Sequence, residues 1–334
     1  LRTTAEVVEV HVSDCGLVGR GEATPYARYG ETVESVVAQI ETLARATPSA
    51  LDRAQLQAAL PPGAARNAVD AALWDLESRR RGVPVSTLLG QTAPPCLPSA
   101  QTIGLDTADR MADAARGYAH LDLLKIKVGA EDPGALIRAV RDAAPDARLI
   151  VDPNESWTFD LLQAMQPVLT ETRVEMIEQP LPAGDDDALL GFESVALLCA
   201  DESCHVAADL PRLRGRYQVV NIKLDKTGGL TGALSLLEAA RAQGFEIMVG
   251  CMACSSLAIA PALHVARHAR FIDLDGPLWL RADHPGGVHL VGGLLQPTTP
   301  ALWGGGLRAA STPVGMQHAV AARAAVPRQI PATT

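Results

Sequence analysis

Six lysine and carboxylate side chains follow one another along the chain at nearly constant spacing. They are Lys125, Lys127, Asp152, Glu178, Asp201 and Lys223. From Lys127 onward the steps are 25, 26, 23 and 22 residues, and each residue lies at the end of a short apolar run, as in a buried strand. A strand, a helix and two loops need about this many residues. The spacing therefore predicts a parallel βα barrel, in which the strand ends converge on one site.

Three carboxylates in the middle of this series could bind a cation. Asp152, Glu178 and Asp201 would end consecutive strands, and carboxylates that face one point repel each other unless a cation lies among them. Oxygen ligands without His or Cys favour Mg²⁺, with Mn²⁺ as a substitute. The alternative is that each acid caps a loop or pairs with a base. This alternative is less favoured because three acids occur in register. Asn154 and Glu202 are predicted to orient the ligands.

The lysines predict proton transfer. Lys125 and Lys127 are two positions apart in a strand and point to the same side, which in a barrel is the interior. Neighbouring ammonium groups and a metal would lower a lysine pKa towards that of a general base. Lys223 falls four strands later, across the barrel mouth, and Asp225 is expected to pair with it. Two such bases could each reach one face of a carbon between them; alternatively, the lysines only neutralise the acids.

The composition fits a large α/β enzyme. The 334 residues suit a barrel with a smaller partner domain, and 4% aromatic residues predict an aliphatic core. A net charge of −9 argues against a nucleic-acid groove. No apolar stretch reaches the ~18 residues of a membrane span, no secretory segment begins the chain, and six scattered cysteines suit a reducing compartment. A cytoplasmic location is expected, and a homo-oligomer stays open.

Four regions are predicted along the chain. Residues 1–96 indicate a small α+β domain, a hairpin followed by helices. Residues 97–278 contain eight apolar runs, from the one at Thr102 to the one at Asp273, with helical segments between them. Residues 279–300 are expected to return and pack on the first domain. Residues 301–334, rich in Gly, Pro, Ala and Thr, predict a flexible tail.

The order of these motifs resembles the enolase superfamily, in its muconate-lactonizing subgroup. KIK, DPN, EQP, ADES and NIKLDKTGG supply Lys-x-Lys on the second strand, acids on the third to fifth strands and Lys on the sixth. Dipeptide epimerases add Asp-x-Asp on the eighth strand, which Asp273-Leu274-Asp275 matches. The resemblance covers about residues 5–300 and is most specific over 149–276. It implies a modified TIM barrel, (β/α)7β, with an N-terminal α+β capping domain.

The resemblance also implies an activity. Lys127 and Lys223 would be the acid/base pair on opposite faces of the α-carbon of a dipeptide's C-terminal residue, and 1,1-proton transfer would proceed through an enediolate. The substrate would be L-Ala-D-Glu, L-Ala-L-Glu or a related dipeptide, as in the metabolism of peptidoglycan peptides. The residues implied in binding are Asp152, Glu178 and Asp201 for Mg²⁺, Lys125 for the substrate carboxylate, Asp273 and Asp275 for its ammonium, and Thr102 and Cys251 as pocket lining.

The start of the chain departs from the family pattern. It begins inside the usual capping domain, so an early strand and a loop that closes over the pocket are expected to be missing. The loop GEATPYARYGE remains. Within it Arg28, with Tyr26, is expected to bind the distal carboxylate of Glu, or else to be a solvated loop arginine. The CxxC spacing of Cys251 and Cys254 favours pocket lining or core over a zinc or redox site.

Two alternatives to a dipeptide epimerase stay open. One is another enolate reaction of the subgroup, by an o-succinylbenzoate synthase, muconate cycloisomerase or N-succinylamino-acid racemase. Their substrates carry no ammonium for Asp273 and Asp275, which disfavours them. The other is a catalytically impaired binding protein, owing to the truncated cap.

Overall fold

The computed structural model describes residues 4–47, 51–307, 319–324 and 328–329. Its first part is an α+β capping domain. The elements are β1 (Thr4–Ala5), β2 (Val8–Asp14), β3 (Leu17–Ala23), α1 (Val33–Ala46), α2 (Arg53–Ala59), α3 (Ala64–Arg81) and α4 (Val85–Leu88). Strands β2 and β3 pair antiparallel along their whole length, as the predicted hairpin requires.

Helix α3 packs directly on strand β3, and two glycines make this possible. A Cβ atom on Gly19 would lie 2.1 Å from the Ala72 carbonyl oxygen, and one on Gly21 would lie 2.1 Å from that of Ala68. Only a residue without a side chain leaves room for such close backbone contact. Gly82 then ends the helix in the left-handed region, with φ at 66°. Helix α3 is thereby held between the hairpin and the second domain.

The second domain is a parallel barrel of eight strands in chain order. After the short strand β4 (Leu97–Pro98), the barrel strands are β5 (Gln101–Ile103), β6 (Leu123–Lys127), β7 (Arg148–Asp152), β8 (Val174–Glu178), β9 (Leu197–Ala200), β10 (Val219–Ile222), β11 (Glu246–Gly250) and β12 (Phe271–Asp273). The Ala100 N–H donates to the Ile272 carbonyl at 2.7 Å, so the first and last strands meet. The predicted barrel is confirmed.

Helices cover the outside of the barrel. They are α5 (Ala108–Tyr118), α6 (Pro133–Ala143), α7 (Phe159–Glu171), α8 (Leu210–Leu213), α9 (Leu224–Thr227), α10 (Leu230–Ala242) and α11 (Ser256–Ala266). The helix predicted between β8 and β9 is instead a 3-10 turn, Asp187–Leu189. Gly184 and Gly191 flank this turn with φ of 87° and 76°, a backbone conformation that does not continue an α-helix. None of the described helices is both long and apolar enough to cross a bilayer.

The lower half of the barrel interior is an apolar layer, to which each of the eight barrel strands or the residue just before it contributes one side chain. Its members are Ala100, Leu123, Ile150, Met176, Cys199, Val219, Met248 and Phe271. Side chains of this size fill the interior of an eight-stranded barrel. The layer closes the barrel from below, so a site inside it opens only towards the C-terminal strand ends.

The segment after the barrel contacts both domains. Strands β13 (His289–Val291) and β14 (Leu294–Gln296) form a hairpin, and β14 pairs with β4 beside the barrel. His284 Nε2 lies 3.9 Å from Glu22 Oε2 of the capping domain, and further contacts with that domain follow. The Trp303 indole donates to the Ala71 carbonyl at 3.0 Å, and the Gly304 N–H donates to Asp75 at 2.8 Å, both on α3.

The predicted flexible tail needs correction where its residues are described. Trp303 is buried, because its indole packs against helix α3 of the capping domain. Strand β15 (Ala319–Ala324) pairs antiparallel with β2 along its whole length, and β16 (Arg328–Gln329) pairs with β1. These strands satisfy edges of the capping-domain sheets, which composition alone does not reveal. The rest of the predicted tail lies outside the described residues.

Candidate active site

A ring of polar side chains lies directly above the apolar layer. Side chains two positions apart in a strand point to the same side, so the second residue after each member of the apolar layer also faces the interior. These eight positions are here called the polar ring, seven with polar side chains and one with glycine: Thr102, Lys125, Asp152, Glu178, Asp201, Asn221, Gly250 and Asp273. The even spacing of the strands thereby brings residues from 102 to 273 to one level of the barrel.

Lys125 lies among the carboxylates of the polar ring. Its Nζ is 2.9 Å from Asp152 Oδ2, 2.7 Å from Glu178 Oε2 and 2.8 Å from Asp273 Oδ2. Burial alone would lower its pKa, but the charges of Asp152, Asp273 and Glu178 raise the pKa well above the usual value. The expected lowering of its pKa came from neighbouring ammonium groups together with a bound metal ion. The carboxylates nearest to Lys125 act in the opposite direction.

Lys127 lies on strand β6 and Lys223 lies at the end of β10. These strands are four apart in a ring of eight, so the two lysines lie on opposite sides of the barrel mouth. Lys127 Nζ donates to Asp152 Oδ2 and to Asn154 Oδ1, each at 2.6 Å. Lys223 Nζ donates to Asp201 Oδ2 at 2.6 Å. Burial would lower the Lys223 pKa, whereas the charges of Asp201 and Glu178 raise it well above the usual value.

The three acids at the ends of β7 to β9 are fully buried but differ in pKa. For Asp152, burial is outweighed by Lys125 and Lys127, which lower its pKa to about 2. For Asp201, the charges of Lys223 and Lys226 outweigh burial and hold the pKa well below the usual range. For Glu178, burial and the Asp152 charge raise the pKa to about 7. Glu178 is thus the acid of the three whose negative charge the protein neutralises least.

The donor chemistry of these three acids fits Mg²⁺. All three offer carboxylate oxygens, and Glu178 Oε2 accepts no hydrogen bond although it is buried; its ion pair with Lys125 lacks hydrogen-bond geometry. Within the described residues, no three His, Cys, Asp or Glu side chains already surround a common point, since the ammonium groups of Lys125 and Lys223 lie among the acids. The three acids fit the ion by ligand type.

A second pair of acids lies at the end of β12. Asp273 Oδ1 is buried and accepts no hydrogen bond, while Asp275 Oδ2 accepts one from the Thr102 N–H at 2.8 Å. Burial and the Asp273 charge raise the Asp275 pKa to about 6. Cys251, which is partly buried, lines the adjacent wall: its Sγ is 3.1 Å from the position of a Cβ on Gly276. Two acids this close favour a cationic group between or beside them.

Asp225 does not pair with Lys223 as predicted. Its Oδ1 accepts hydrogen bonds from the Thr24 N–H at 3.0 Å and from Asn67 Nδ2 at 2.8 Å, so it joins the capping domain to the barrel. The two-residue alternation that predicted the pairing stops at Ile222, where β10 ends and helix α9 follows. Burial raises the Asp225 pKa to about 7.

Two residues of the site were missed from the sequence. Asn221 Nδ2 donates to Glu178 Oε1 at 2.8 Å. It lies two residues before Lys223 on the same strand face, so strict strand register would have found it. Lys226 is fully buried, and its Nζ donates to Asp201 Oδ1 at 2.6 Å and to the Asp201 and Asn221 carbonyls at 2.6 and 2.9 Å. It lies on α9, where no strand pattern points to the site.

Side chains from loops form a rim above the polar ring. Arg28 of the capping domain donates through Nε and Nη2 to both oxygens of Glu155, each at 2.8 Å. The Tyr29 ring packs edge-on against His205, with centroids 4.5 Å apart, and against Tyr26 at 5.2 Å. Burial and the Asp201 charge raise the Tyr29 pKa. We call Arg28, Tyr29, Asn154, Glu155 and Glu202 the rim.

Glu202 and Asn154 connect the rim to the polar ring. Asn154 Nδ2 lies 3.5 Å from Glu202 Oε1, and the Asn154 N–H donates to Asp152 Oδ1 at 2.9 Å. Burial and the Asp201 charge raise the Glu202 pKa to about 7. Asn154 thus contacts one acid of the ring and one lysine, while Glu202 adds negative charge at the mouth.

Comparison with known proteins identifies the family. A model described as the enolase C-terminal domain-like family matches residues 106–300. A model of the mandelate racemase / muconate lactonizing enzyme N-terminal domain matches residues 1–90. Together they cover both domains of the structure.

Several characterised proteins are similar over most of their length. The L-Ala-D/L-Glu epimerase of Escherichia coli (strain K12) is 49% identical over 84% of this chain and 88% of its own. An N-acetyl-D-glutamate racemase of Pseudoalteromonas sp. is 44% identical over 90% of this chain and 95% of its own.

Solved structures of similar proteins have the same fold as this chain over most of its length. A crystal structure of an enolase family member from Agrobacterium tumefaciens, with bound sodium and L-Ala-L-Glu, is 48% identical with a TM-score of 0.87 over 90% of this chain and 92% of that chain. A dipeptide epimerase from Enterococcus faecalis V583, complexed with Mg and L-Leu-L-Tyr, is 28% identical with a TM-score of 0.77 over 95% of this chain and 100% of that chain. This chain belongs to the enolase superfamily, with both the N- and C-terminal domains of its mandelate racemase and muconate-lactonizing members.

Proposed function

We propose that this chain is a Mg²⁺-dependent isomerase that epimerises the C-terminal residue of a dipeptide such as L-Ala-L-Glu or L-Ala-D-Glu. The observation that carries this proposal is the placement of Lys127 and Lys223 on opposite sides of the barrel mouth, above the buried acids of the polar ring. One base on each side is what inversion of a carbon centre between them requires. The similarity to an L-Ala-D/L-Glu epimerase supports the choice of substrate.

The chemical difficulty is the weak acidity of the α-proton. Its removal from a carboxylate leaves a second negative charge, spread over the carboxylate oxygens as an enediolate. When bound by Asp152, Glu178 and Asp201, Mg²⁺ supplies positive charge that stabilises this anion. Lys125, which already contacts two of these acids, adds a buried ammonium on the same side.

The two lysines divide the proton transfer. One removes the α-proton from its face of the carbon, and the other delivers a proton to the opposite face, so the centre inverts. Asn154 holds the Lys127 ammonium through a bond of 2.6 Å, and Asp201 holds that of Lys223. Each side chain is therefore fixed in direction before substrate arrives, which lowers the entropy lost on reaching the transition state.

The remaining site residues select the substrate. Asp273, with its unpartnered Oδ1, and Asp275 would receive the dipeptide's ammonium. Thr102 orients Asp275 through its N–H, and Cys251 lines the adjacent wall. Arg28 at the rim would bind the distal carboxylate of a glutamate substrate.

Proton exchange tests this proposal directly. The protein is incubated with Mg²⁺ and L-Ala-L-Glu in D₂O, and deuterium at the Glu α-carbon is followed by NMR together with the D-epimer. We expect both to appear at comparable rates. A folded, Mg²⁺-loaded protein that exchanges no α-proton with L-Ala-L-Glu or other L-Ala-L-Xaa dipeptides would contradict the proposal and favour a binding protein.

A second candidate is racemisation of an N-acylated glutamate, because the N-acetyl-D-glutamate racemase is 44% identical. Such a substrate carries an acetyl group on the Glu nitrogen, where the dipeptide carries an alanyl group with its ammonium, so Asp273 and Asp275 would have no cation to bind. Comparing kcat/KM for N-acetyl-L-Glu and L-Ala-L-Glu separates the two. If the dipeptide is the substrate, Asp273→Asn lowers its kcat/KM more than that of N-acetyl-L-Glu.

The finer features implied by the sequence belong to the same proposal. They are Mn²⁺ as a substitute ion, action on peptides derived from peptidoglycan, and a cytoplasmic location. The ion is tested by adding Mn²⁺ to chelator-treated protein in the exchange assay.

A further inference from the structure

Glu155 is anchored to the barrel at two points. Its backbone N–H donates to the Gln179 carbonyl at 2.9 Å, and its Oε1 accepts from the Ala183 N–H at 2.7 Å. Both partners follow strand β8 of the barrel. The Glu155 side chain is only 15% exposed, whereas that of its partner Arg28 is 49% exposed. The barrel therefore fixes Glu155, and Glu155 fixes Arg28.

The backbone at Glu155 is in an unusual conformation. Asn154 and Glu155 have φ of 46° and 68°, the left-handed region that glycine and asparagine adopt most easily. Glutamate has no such preference, so surrounding contacts must hold it there, and such strain often marks a functional position. The conformation directs the carboxylate of Glu155 across the mouth to the capping domain, next to Asn154 and its contact with Lys127.

The geometry of the Arg28 contact leaves a second binding edge. Glu155 takes up the edge formed by Nε and Nη2. A guanidinium has five N–H donors and presents another edge, formed by Nη1 and the second hydrogen of Nη2. That edge can bind a second carboxylate through two parallel hydrogen bonds. Arg28 is thus held from one side in a way that leaves it able to bind an acid from another.

We propose that Glu155 is a positioning residue for substrate selectivity, which holds Arg28 side-on so that its other edge receives the distal carboxylate of a glutamate at the reacting position. This inference rests on the proposed function. It applies equally to a dipeptide and to an N-acylated glutamate, since both carry the same acidic side chain. The named activities of the two relatives, on L-Ala-D/L-Glu and on N-acetyl-D-glutamate, have this side chain in common.

A competing effect makes the test decisive. Glu155 also places a negative charge near the incoming carboxylate. If that repulsion were its main influence, removing it would strengthen binding of acidic substrates. If positioning dominates, removing it weakens their binding, because an exposed arginine then has to be ordered by the substrate itself. The two effects have opposite signs.

The experiment compares two dipeptides that differ only in the distal charge, L-Ala-L-Glu and L-Ala-L-Gln. Their Kd values are measured by calorimetry on the Mg²⁺-loaded protein, and KM and kcat by epimerisation. The variants are Glu155→Gln, Glu155→Gly, Arg28→Met and the double variant Arg28→Met/Glu155→Gly. Glycine suits the left-handed backbone at this position, so that variant loses the side chain without backbone strain. Glu171→Gln, in the exposed Arg138–Glu171 pair far from the site, is the control.

We expect the wild-type protein to bind L-Ala-L-Glu about tenfold more tightly than L-Ala-L-Gln, as for a charge-assisted bidentate contact. Glu155→Gly and Arg28→Met should each remove most of this preference, with the change in KM for L-Ala-L-Glu and not in its kcat. The double variant should match Arg28→Met alone, because both residues act through one contact. Glu171→Gln should match the wild type.

Three results would overturn the inference: a preference for Glu that is unchanged or increased in both Glu155 variants, equal binding of the two dipeptides by the wild type, or equal weakening of both dipeptides, which indicates a merely structural role. Failure of the proposed function looks different. A wild type that binds L-Ala-L-Glu selectively through Arg28 and Glu155 but exchanges no α-proton would contradict the epimerase and leave the inference standing on its Kd ratio.

Discussion

The polar ring and the rim face the same mouth but are built in different ways. Each ring residue comes from a barrel strand or its end, so backbone register sets its position. Three of the buried ring acids, Asp152, Glu178 and Asp273, share a central lysine, Lys125. The rim comes from loops of both domains, and its main contact is the partly exposed pair of Arg28 and Glu155. In the proposed function, proton chemistry belongs to the rigid sheet, and selectivity for the distal carboxylate belongs to the loops.

Replacing one ring acid should have the largest effect and tests the first half of this comparison. Glu178→Gln keeps the shape but removes a carboxylate from the proposed ion site, so we expect kcat/KM to fall by at least about 10³-fold. The Glu178 pKa of about 7 is raised by burial. Its ionisation therefore costs stability as pH rises through this value, and the variant should unfold at the same or higher temperature than the wild type at pH 8.

Epimerisation kinetics of the Mg²⁺-loaded proteins measure kcat/KM, and thermal melts of the chelator-treated proteins measure the unfolding temperature. Glu155→Gln, a matched change at the rim, should alter KM alone. If Glu178→Gln retained activity within tenfold of the wild type, the ring would not carry the chemistry.

A smaller effect is expected from Asn221, which belongs to the ring but only supports Glu178. Asn221→Ala removes the donor to Glu178 Oε1, and loss of such a supporting bond typically weakens metal binding by about 10–100-fold. Calorimetric titration with Mg²⁺ measures the change. Gln218→Ala, just before the start of the same strand, is the control and should bind Mg²⁺ as the wild type does. Equal Mg²⁺ affinity in Asn221→Ala would show that Glu178 needs no support.

The contact between the two domains should show the smallest effect, as a pH dependence of stability. The Asp225 pKa is raised by burial from 3.8 to about 7. Its folded-state pKa therefore lies above its unfolded value, and the stability it contributes is lost as pH rises between them. Asp225→Asn removes the loss and keeps an acceptor for Thr24. The difference in free energy of unfolding between the variant and the wild type should therefore be about 2 kcal/mol more favourable to the variant at pH 8 than at pH 5.

Urea unfolding of both proteins at the two pH values measures this gain. Parallel pH profiles for wild type and variant would contradict a buried, neutralised Asp225 at the domain contact.

The sequence predicted the ring well because strand geometry is regular. The end of each apolar run marks one level of a barrel, so Lys125, Asp152, Glu178 and Asp273 could be placed together from spacing alone. The same two-residue alternation predicted the wrong partner for Asp225, because helix α9 begins one residue after Lys223. Asn221 lies one register step before Lys223 on the same strand face, and its neutral amide does not distinguish it from an ordinary strand residue.

The rim could be predicted only in part. Arg28 was predicted to bind the distal carboxylate, but its partner Glu155 was not predicted. The two residues are 127 positions apart, and no periodic pattern relates a capping-domain loop to a barrel loop. The raising of the Lys125 and Lys223 pKa values by carboxylates was also not predicted. They depend on distances to carboxylates on other strands, which the sequence does not contain.

The central claim is that Lys127 and Lys223 serve opposite faces of one carbon. Lys127→Met and Lys223→Met are each incubated in D₂O with Mg²⁺ and, separately, with L-Ala-L-Glu and L-Ala-D-Glu, and α-deuterium is followed by NMR. We predict that neither variant epimerises above about a thousandth of the wild-type rate. Each should still exchange the α-proton of one epimer, and the two variants should exchange different epimers. Exchange of the same epimer by both variants, or epimerisation by either at the wild-type rate, would contradict this account.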